Sequence, residues 1–149
     1  MGTTEEIKIK KVHTFLDLAI ASIVLAAGIG LYFLLPGWGI LFCFIGVLLF
    51  VFYKRANKRV GESTLLKEKS LDINPEYRSG IIDFLENNTD VLDFETTSEA
   101  DHLYLEVYFN AEKPVAYVRL YDVAENRFDA ATEMIELHDS MAEKLISKL

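Results

Sequence analysis

Two uncharged apolar runs separated by a single proline constrain the fold of this chain more than any other feature. Residues 18–35 form a run of eighteen and residues 37–53 a run of seventeen, and neither contains a charged side chain. As α-helices they would be about 27 Å and about 25 Å long, close to the thickness of a bilayer core. Pro36 and the neighbouring glycines stop a helix and allow a tight reversal. The sequence therefore predicts a membrane helical hairpin of two transmembrane helices over residues 18–53.

Basic residues flank this hairpin on both sides and are absent from its turn. They are Lys8, Lys10, Lys11, Lys54, Arg55, Lys58 and Arg59. Because cytosolic flanks of membrane spans are enriched in lysine and arginine, we expect a multi-pass integral membrane protein with both termini in the cytosol. A cleaved signal peptide is the alternative for the first run, but the second run would still anchor the chain.

Charge divides the sequence into two dissimilar parts. Residues 1–61 carry a net charge of +4, whereas residues 62–149 carry eight lysines and arginines against twenty acids, a net charge of −12. Such an acidic part repels phosphate, so nucleic-acid binding is excluded as its function. The single cysteine, Cys43, cannot form an intramolecular disulfide or a thiolate metal site by itself.

These patterns predict four segments. Residues 1–17 form a cytosolic N-terminal segment, 18–53 the transmembrane hairpin, 54–61 a basic juxtamembrane linker and 62–149 an acidic cytosolic domain. The basic linker should lie at the surface of the bilayer, where anionic headgroups attract it. The lipid bilayer is thus the first predicted partner.

Small side chains recur in both apolar runs and predict how the helices pack. They are Ser22, Ala26 and Gly30 in the first run, and Gly39, Cys43 and Gly46 in the second. Such stripes let two helices approach closely, so we expect them to pack the hairpin against itself. A second interpretation, compatible with the first, is that they join hairpins from different chains into a homo-oligomer. Asp17, at the cytosolic edge, is expected to reach water or to pair with Lys10 or Lys11.

The acidic part is expected to be a small two-layer α+β domain with an antiparallel sheet. Asn74 and Pro75 are typical of a helix start. Periodicity predicts a helix over 75–87, strands over 91–97, 102–110 and 115–123, and a helix over 125–149. The order is α-β-β-β-α. Residues 64–73 fit a strand or a short helix, so an extra N-terminal strand stays open.

Pairing of the second and third predicted strands places six chemically notable side chains on one surface. If Asn110 faces Val115 across the turn, the surface contains the pairs Tyr104–Tyr121, Glu106–Arg119 and Tyr108–Tyr117. Val107 and Val118 then lie on the opposite, core surface. Tyrosine combines a large contact area with a polar tip and is enriched at protein interfaces. We therefore predict an interface formed by these six residues.

No constellation typical of catalysis or cofactor binding occurs in the sequence, so no catalytic residue, cofactor site or metal site is assigned. Asp93, Glu95 and Glu106 offer oxygen ligands for a divalent cation, but Arg119 would compete for Glu106. The favoured function is a non-catalytic, membrane-anchored interaction or scaffold protein that binds a protein partner or itself. The alternative is an oligomeric pore or a small accessory subunit of a membrane transport complex. The partner's identity and the oligomeric state are not encoded in any motif.

Overall fold

The structure is a computed structural model that describes residues 6–110, 112–125 and 127–149. It divides into two compact units. One comprises Ile9–Lys58, and the other comprises Arg59–Leu149 together with residues 6–8. The division falls close to the predicted linker.

The first unit is a helical hairpin. Helix α1 spans Phe15–Tyr32 and helix α2 spans Pro36–Phe52, with strand β1, Ile9–Val12, before them and strand β2, Ala56–Arg59, after them. The two strands pair with each other. By length and composition, α1 is sufficient to cross a membrane, whereas α2 is a somewhat shorter apolar helix of 17 residues. Pro36 begins α2, where its missing N–H costs no hydrogen bond.

The two helices pack through small residues, but on α1 these are not the predicted ones. Gly39, Cys43 and Gly46 of α2 contact the other helix as expected, at Tyr32, Gly28 and Leu25 respectively. The prediction that Ser22, Ala26 and Gly30 pack the hairpin against itself is wrong, because all three are exposed. The buried α1 positions are Asp17, Ala21 and Gly28. These positions are four and seven residues apart and so lie on one side of α1, whereas Ser22, Ala26 and Gly30 lie on the outer surface of the helix.

Asp17 links the start of α1 to the segment that follows α2, at the end of the hairpin opposite its turn. The Thr14 N–H donates to Asp17 Oδ2 at 2.9 Å, and the Asp17 N–H donates to Thr14 Oγ1 at 3.2 Å, which forms a reciprocal cap at the start of α1. The Asp17 side chain is fully buried and pairs with Arg55 Nε at 3.1 Å. The expected pairing with water or with Lys10 or Lys11 is therefore wrong. The partner follows α2, where no local spacing rule would identify it.

This ion pair predicts unequal effects for its two members. Arg55→Ala should leave a buried carboxylate without its counter-charge and destabilise the hairpin by about 2 kcal/mol. Asp17→Asn should cost less, about 1 kcal/mol, because the amide oxygen of asparagine can still accept the Thr14 N–H and Arg55 is half exposed. The check is the detergent concentration at which the helices of each full-length variant separate. A larger loss for Asp17→Asn would contradict this account.

The second unit is an α+β domain. Its strands are β3 Lys67–Ile73, β4 His102–Asn110, β5 Val115–Ala124, β6 Arg127–Ala130 and β7 Ile135–His138, and its helices are α3 Arg78–Asn87 and α4 Asp139–Lys148. The sheet order is β3-β4-β5-β6, with β7 pairing to β5 as well. All four of these pairings are antiparallel. Residues 64–73, left open by the sequence, therefore supply an edge strand.

The central hairpin of the sheet confirms the predicted register. Asn110 faces Val115, and the pairs Tyr104–Tyr121, Glu106–Arg119 and Tyr108–Tyr117 follow. The predicted helix over 75–87 is also present, as a 3-10 turn at Pro75–Tyr77 followed by α3. The Asn74 side chain accepts a hydrogen bond from the Glu76 N–H at 3.2 Å, so the predicted cap is confirmed.

One layer of the domain is the sheet and the other is formed by α3 and α4. The core between them contains Ile73, Ile81, Phe84, Leu85, Leu92, Leu103, Leu105, Val107, Ala116, Val118, Leu120, Leu137, Ala142 and Leu145. On β4 and β5, the alternate residues of the predicted core surface are buried, except for Phe109 near the end of β4, which is partly buried. This arrangement leaves the tyrosine-bearing surface of the sheet on the side away from the helices.

The predicted strand over 91–97 is wrong. This segment forms a single bridge, between Thr96 and Ile73, beside two backbone hydrogen bonds to the end of β3. Leu92 and Phe94 still pack on the core. The alternating pattern was real, but β3 occupies the place beside β4 with seven paired residues. Core packing of alternate side chains thus does not require that the segment join the sheet.

The predicted helix over 125–149 is also wrong in its first half. Residues 127–138 form β6 and β7, which pair with two successive stretches of the same edge of β5. The residues between β6 and β7 bind the backbone of Leu120 in β5. The Leu120 N–H donates to Thr132 Oγ1 at 3.1 Å, and the Leu120 carbonyl accepts from the Ala131 N–H at 2.9 Å. The hydrogen bonds that β6 and β7 make with the backbone groups of β5 outweigh the preference of this short segment for a helix. Only α4 retains the predicted helix.

Candidate interaction surface

The six predicted interface residues lie on one surface of the sheet, which we call the tyrosine face. Directly opposed residues of neighbouring strands share a face, so the register places Tyr104, Glu106, Tyr108, Tyr117, Arg119 and Tyr121 together. The same rule adds Phe128 of β6, opposite Val123, and Glu136 of β7, opposite Tyr117. Asp72 of β3 lies opposite Tyr104. Their roles at an interface stay a prediction, but their exposure divides the face into two ends.

At one end of the face, Tyr117 is covered by the chain itself and is only 1% exposed. Its hydroxyl oxygen lies 3.3–3.4 Å from carboxylate oxygens of Glu62 and Glu136, to one of which it can donate at a time. Arg59 Nη1 donates to Glu136 at 2.8 Å and to Glu62 at 3.3 Å, while the guanidinium lies 5.5 Å from the Tyr117 ring centroid. Residues 59–62 thus form a polar cover, and Tyr117 contributes to the fold more than to an accessible surface.

This environment alters the ionisation of the covered groups. Burial raises the pKa of the Tyr117 hydroxyl, and its hydrogen bond with Arg59 acts in the opposite direction. The pKa of Arg59 is raised, chiefly by that same hydrogen bond. Burial also raises the pKa of Tyr108, whose hydroxyl donates to Glu106 Oε1 at 2.8 Å. Both tyrosines therefore stay protonated at neutral pH and act as hydrogen-bond donors.

At the other end, three aromatic rings form a cluster that faces outwards. Tyr104 and Tyr121 have ring centroids 6.0 Å apart, and Phe128 lies edge-on to both, at 5.6 Å and 6.3 Å. Phe128 is 58% exposed. Phe128 lies in β6, within the segment 125–149 for which a helix was predicted. The alternation of Phe128 and Ala130 with Arg127 and Asp129 is compatible with the short strand β6, but it does not exclude a helix.

Polar groups border this aromatic cluster. The Tyr121 hydroxyl donates to Glu106 Oε2 at 3.3 Å, and the Arg119 guanidinium lies 5.9 Å from the Tyr121 ring centroid. Asp72, half exposed, contacts His102 Nε2 at 3.4 Å. Glu106 and Arg119 thus each engage tyrosine hydroxyls or rings.

The acidic residues that could have held a cation do not meet. Asp93 pairs with Lys148 Nζ at 3.2 Å, on an exposed part of the surface, and it lies outside the sheet together with Glu95. Among the residues that the structure describes, no group of three histidine, cysteine, aspartate or glutamate side chains is arranged to hold a metal ion. His138 is exposed at the end of β7, within the segment 125–149 for which a helix was predicted.

Comparison of the chain with protein-family models, with curated proteins and with solved structures gives no match. Its function is therefore inferred from its own residues and their geometry.

Proposed function

We propose that this chain is a membrane-anchored, non-catalytic interaction protein. Its hairpin crosses the bilayer twice, both termini lie in the cytosol, and its acidic domain binds a protein partner there. The observation that carries the proposal is the apolar surface of the hairpin. Large side chains along both helices are exposed, from Phe15 at 88% to Phe52 at 76%. Soluble monomers rarely expose so much contiguous apolar surface, whereas a lipid bilayer would cover it.

The close packing of α1 and α2 supports two spans rather than one. Gly28, Gly39 and Gly46 bring the two backbones into contact along their length, and Asp17 pairs with Arg55 at the open end. A hairpin joined in this way would enter a membrane as one body. The 17 residues of α2 span about 25 Å, within the range that bilayers accommodate by local thinning.

The interaction role is supported by the tyrosine face and by its charge. The residues that border the open aromatic cluster include carboxylates but no catalytic constellation. Tyrosine and phenylalanine on an accessible sheet surface are typical of protein interfaces. The purified complex should therefore have a mass greater than that of one chain, and the added component should be a protein.

Cysteine labelling tests the topology. In a Cys43→Ser background, Gly37→Cys should react with an impermeant thiol reagent added outside intact cells, whereas Ser98→Cys should react only after permeabilisation. Both positions are exposed, and a Cβ at Gly37 has no neighbour within 4 Å. Labelling of both positions from outside would contradict the two-span hairpin. A loss of mass from the N-terminal end would indicate a cleaved signal sequence.

A further inference from the structure

We infer that the aromatic cluster of Tyr104, Tyr121 and Phe128 is the docking site for an arginine-rich basic segment of a protein partner. The inference rests on the proposed function, to which it adds the location of the binding surface and the chemistry of its ligand. The cluster lies on the accessible end of the tyrosine face, and Phe128 is its most exposed member.

The strands give this face a negative charge. With the covering residues 59–62 included, its side chains among the described residues include five carboxylates and two guanidinium groups. The carboxylates are Glu62, Glu68, Asp72, Glu106 and Glu136, and the guanidinium groups are those of Arg59 and Arg119. The whole segment 62–149 has a net charge of −12. A cationic partner is therefore attracted from a distance, while its docking position depends on local contacts.

The aromatic rings provide those local contacts. Cations bind over aromatic faces, and arginine does so more often than lysine because its planar guanidinium also stacks. The described residues already use this chemistry three times, with Arg55 near Tyr53, Arg59 near Tyr117 and Arg119 near Tyr121. Phe128 and Tyr104 have no such internal cation in the described contacts. An arginine of a partner would contact them, with Asp72 beside Tyr104 as its counter-charge.

The same charges disfavour two other occupants. A second copy of the domain carries the same excess of negative charge and is repelled. An anionic membrane surface is repelled for the same reason. Antiparallel pairing of a second copy through the β3 edge, in the register centred on Ser70, would place Glu68 of each copy opposite Asp72 of the other, and like charges directly opposite each other are destabilising. A basic protein segment is the occupant that the charges favour.

The test measures binding of fluorescent nona-arginine to the full-length chain in phosphatidylcholine nanodiscs. Phe128→Ala should weaken binding about tenfold, equivalent to about 1.4 kcal/mol. The matched control is Val91→Ala, which removes an apolar side chain that is 74% exposed in the loop after α3 and should leave binding unchanged. Nona-lysine, with the same charge, should bind more weakly than nona-arginine.

A second pair of variants separates local charge from total charge. Asp72→Asn and Glu143→Gln each remove one negative charge, the first beside Tyr104 and the second from the exposed surface of α4. Asp72→Asn should weaken binding several-fold and Glu143→Gln should leave it nearly unchanged. Because all four substituted residues are exposed, identical circular dichroism spectra are expected for all the variants.

Several outcomes would overturn the inference. Equal binding by wild type and Phe128→Ala would show that attraction to the domain is general. Association of two nanodisc-embedded copies that is lost in Phe128→Ala, without peptide binding, would assign the cluster to a second copy. Only nanodiscs that contain the inserted chain are measured. Failure of the chain to insert into nanodiscs thus contradicts the proposed function. An inserted chain that does not bind nona-arginine contradicts this inference alone.

Discussion

Replacing Phe84 by alanine is expected to destabilise the domain by about 3–5 kcal/mol, because the largest losses follow removal of a fully buried aromatic side chain. Phe84 lies in the centre of α3, is 0% exposed and packs in the core between the helices and the sheet. Alanine would leave a cavity that the surrounding strands cannot fill without losing their register. Since small domains have only about 5–15 kcal/mol of stability, much of the domain would be unfolded at moderate temperature.

Phe128→Ala is the matched control, because it also removes a phenylalanine side chain, but from the exposed surface of the sheet instead of from the core. It should cost about 1 kcal/mol or less, through lost contacts with Tyr104 and Tyr121. The measurement is pulse proteolysis of the full-length variants in detergent over a urea series, in which cleavage reports unfolding of the domain. Equal urea midpoints for the two variants would contradict the described core.

Replacing Gly39 by leucine is expected to separate the two helices of the hairpin. A Cβ at Gly39 would overlap the backbone of Tyr32, and backbone atoms cannot rotate away as a side chain can. At Gly28 the equivalent atom would lie 2.6 Å from the Cys43 nitrogen, so the seam is equally tight there. The helices must therefore move apart, with loss of packing along their contact.

Gly30→Leu is the control for this prediction. It places the same side chain on α1, where a Cβ would have no neighbour within 4 Å, and so should leave the hairpin intact. Spin labels at Leu16 and Phe52, both exposed, report the separation of the helix ends in a Cys43→Ser background. Gly39→Leu should lengthen and broaden the distance distribution, and Gly30→Leu should not. Identical distributions for both would refute the glycine seam.

The local sequence pattern was sufficient to predict elements in which the spacing of apolar residues fits only one kind of secondary structure. The alternation in β4 and β5 specified their register because a slip of one residue would expose the buried side chains of both strands. The uncharged runs predicted two helices, and α1 and α2 form there, because an α-helix satisfies the hydrogen bonds of its backbone within one segment. Asn74 and Pro75 marked the start of the helical segment that leads into α3 through local hydrogen bonding alone.

The candidate site was predictable only in part, because local pattern does not reveal contacts between distant segments. Strand pairing placed six residues on one face, but not the cover over Tyr117 by residues 59–62 nor the arrival of Phe128 from β6. Both contacts join segments that are distant in sequence. The spacing of Phe128, Ala131 and Ile135 fits a helix as well as two short strands, so the pattern alone could not distinguish them.

The amino-acid sequence by itself determined the apolar hairpin, the acidic domain after it and the surface on which the tyrosines lie. The tertiary structure decided which residues form the helix seam, which segment pairs with each sheet edge, and which aromatic rings stay accessible. The physical reason is that hydrophobic period constrains one element at a time, whereas the backbone groups of a strand edge require a partner from elsewhere in the chain. The edge of β5 pairs with β6 and β7, within residues 127–138, and this pairing places Phe128 on the tyrosine face.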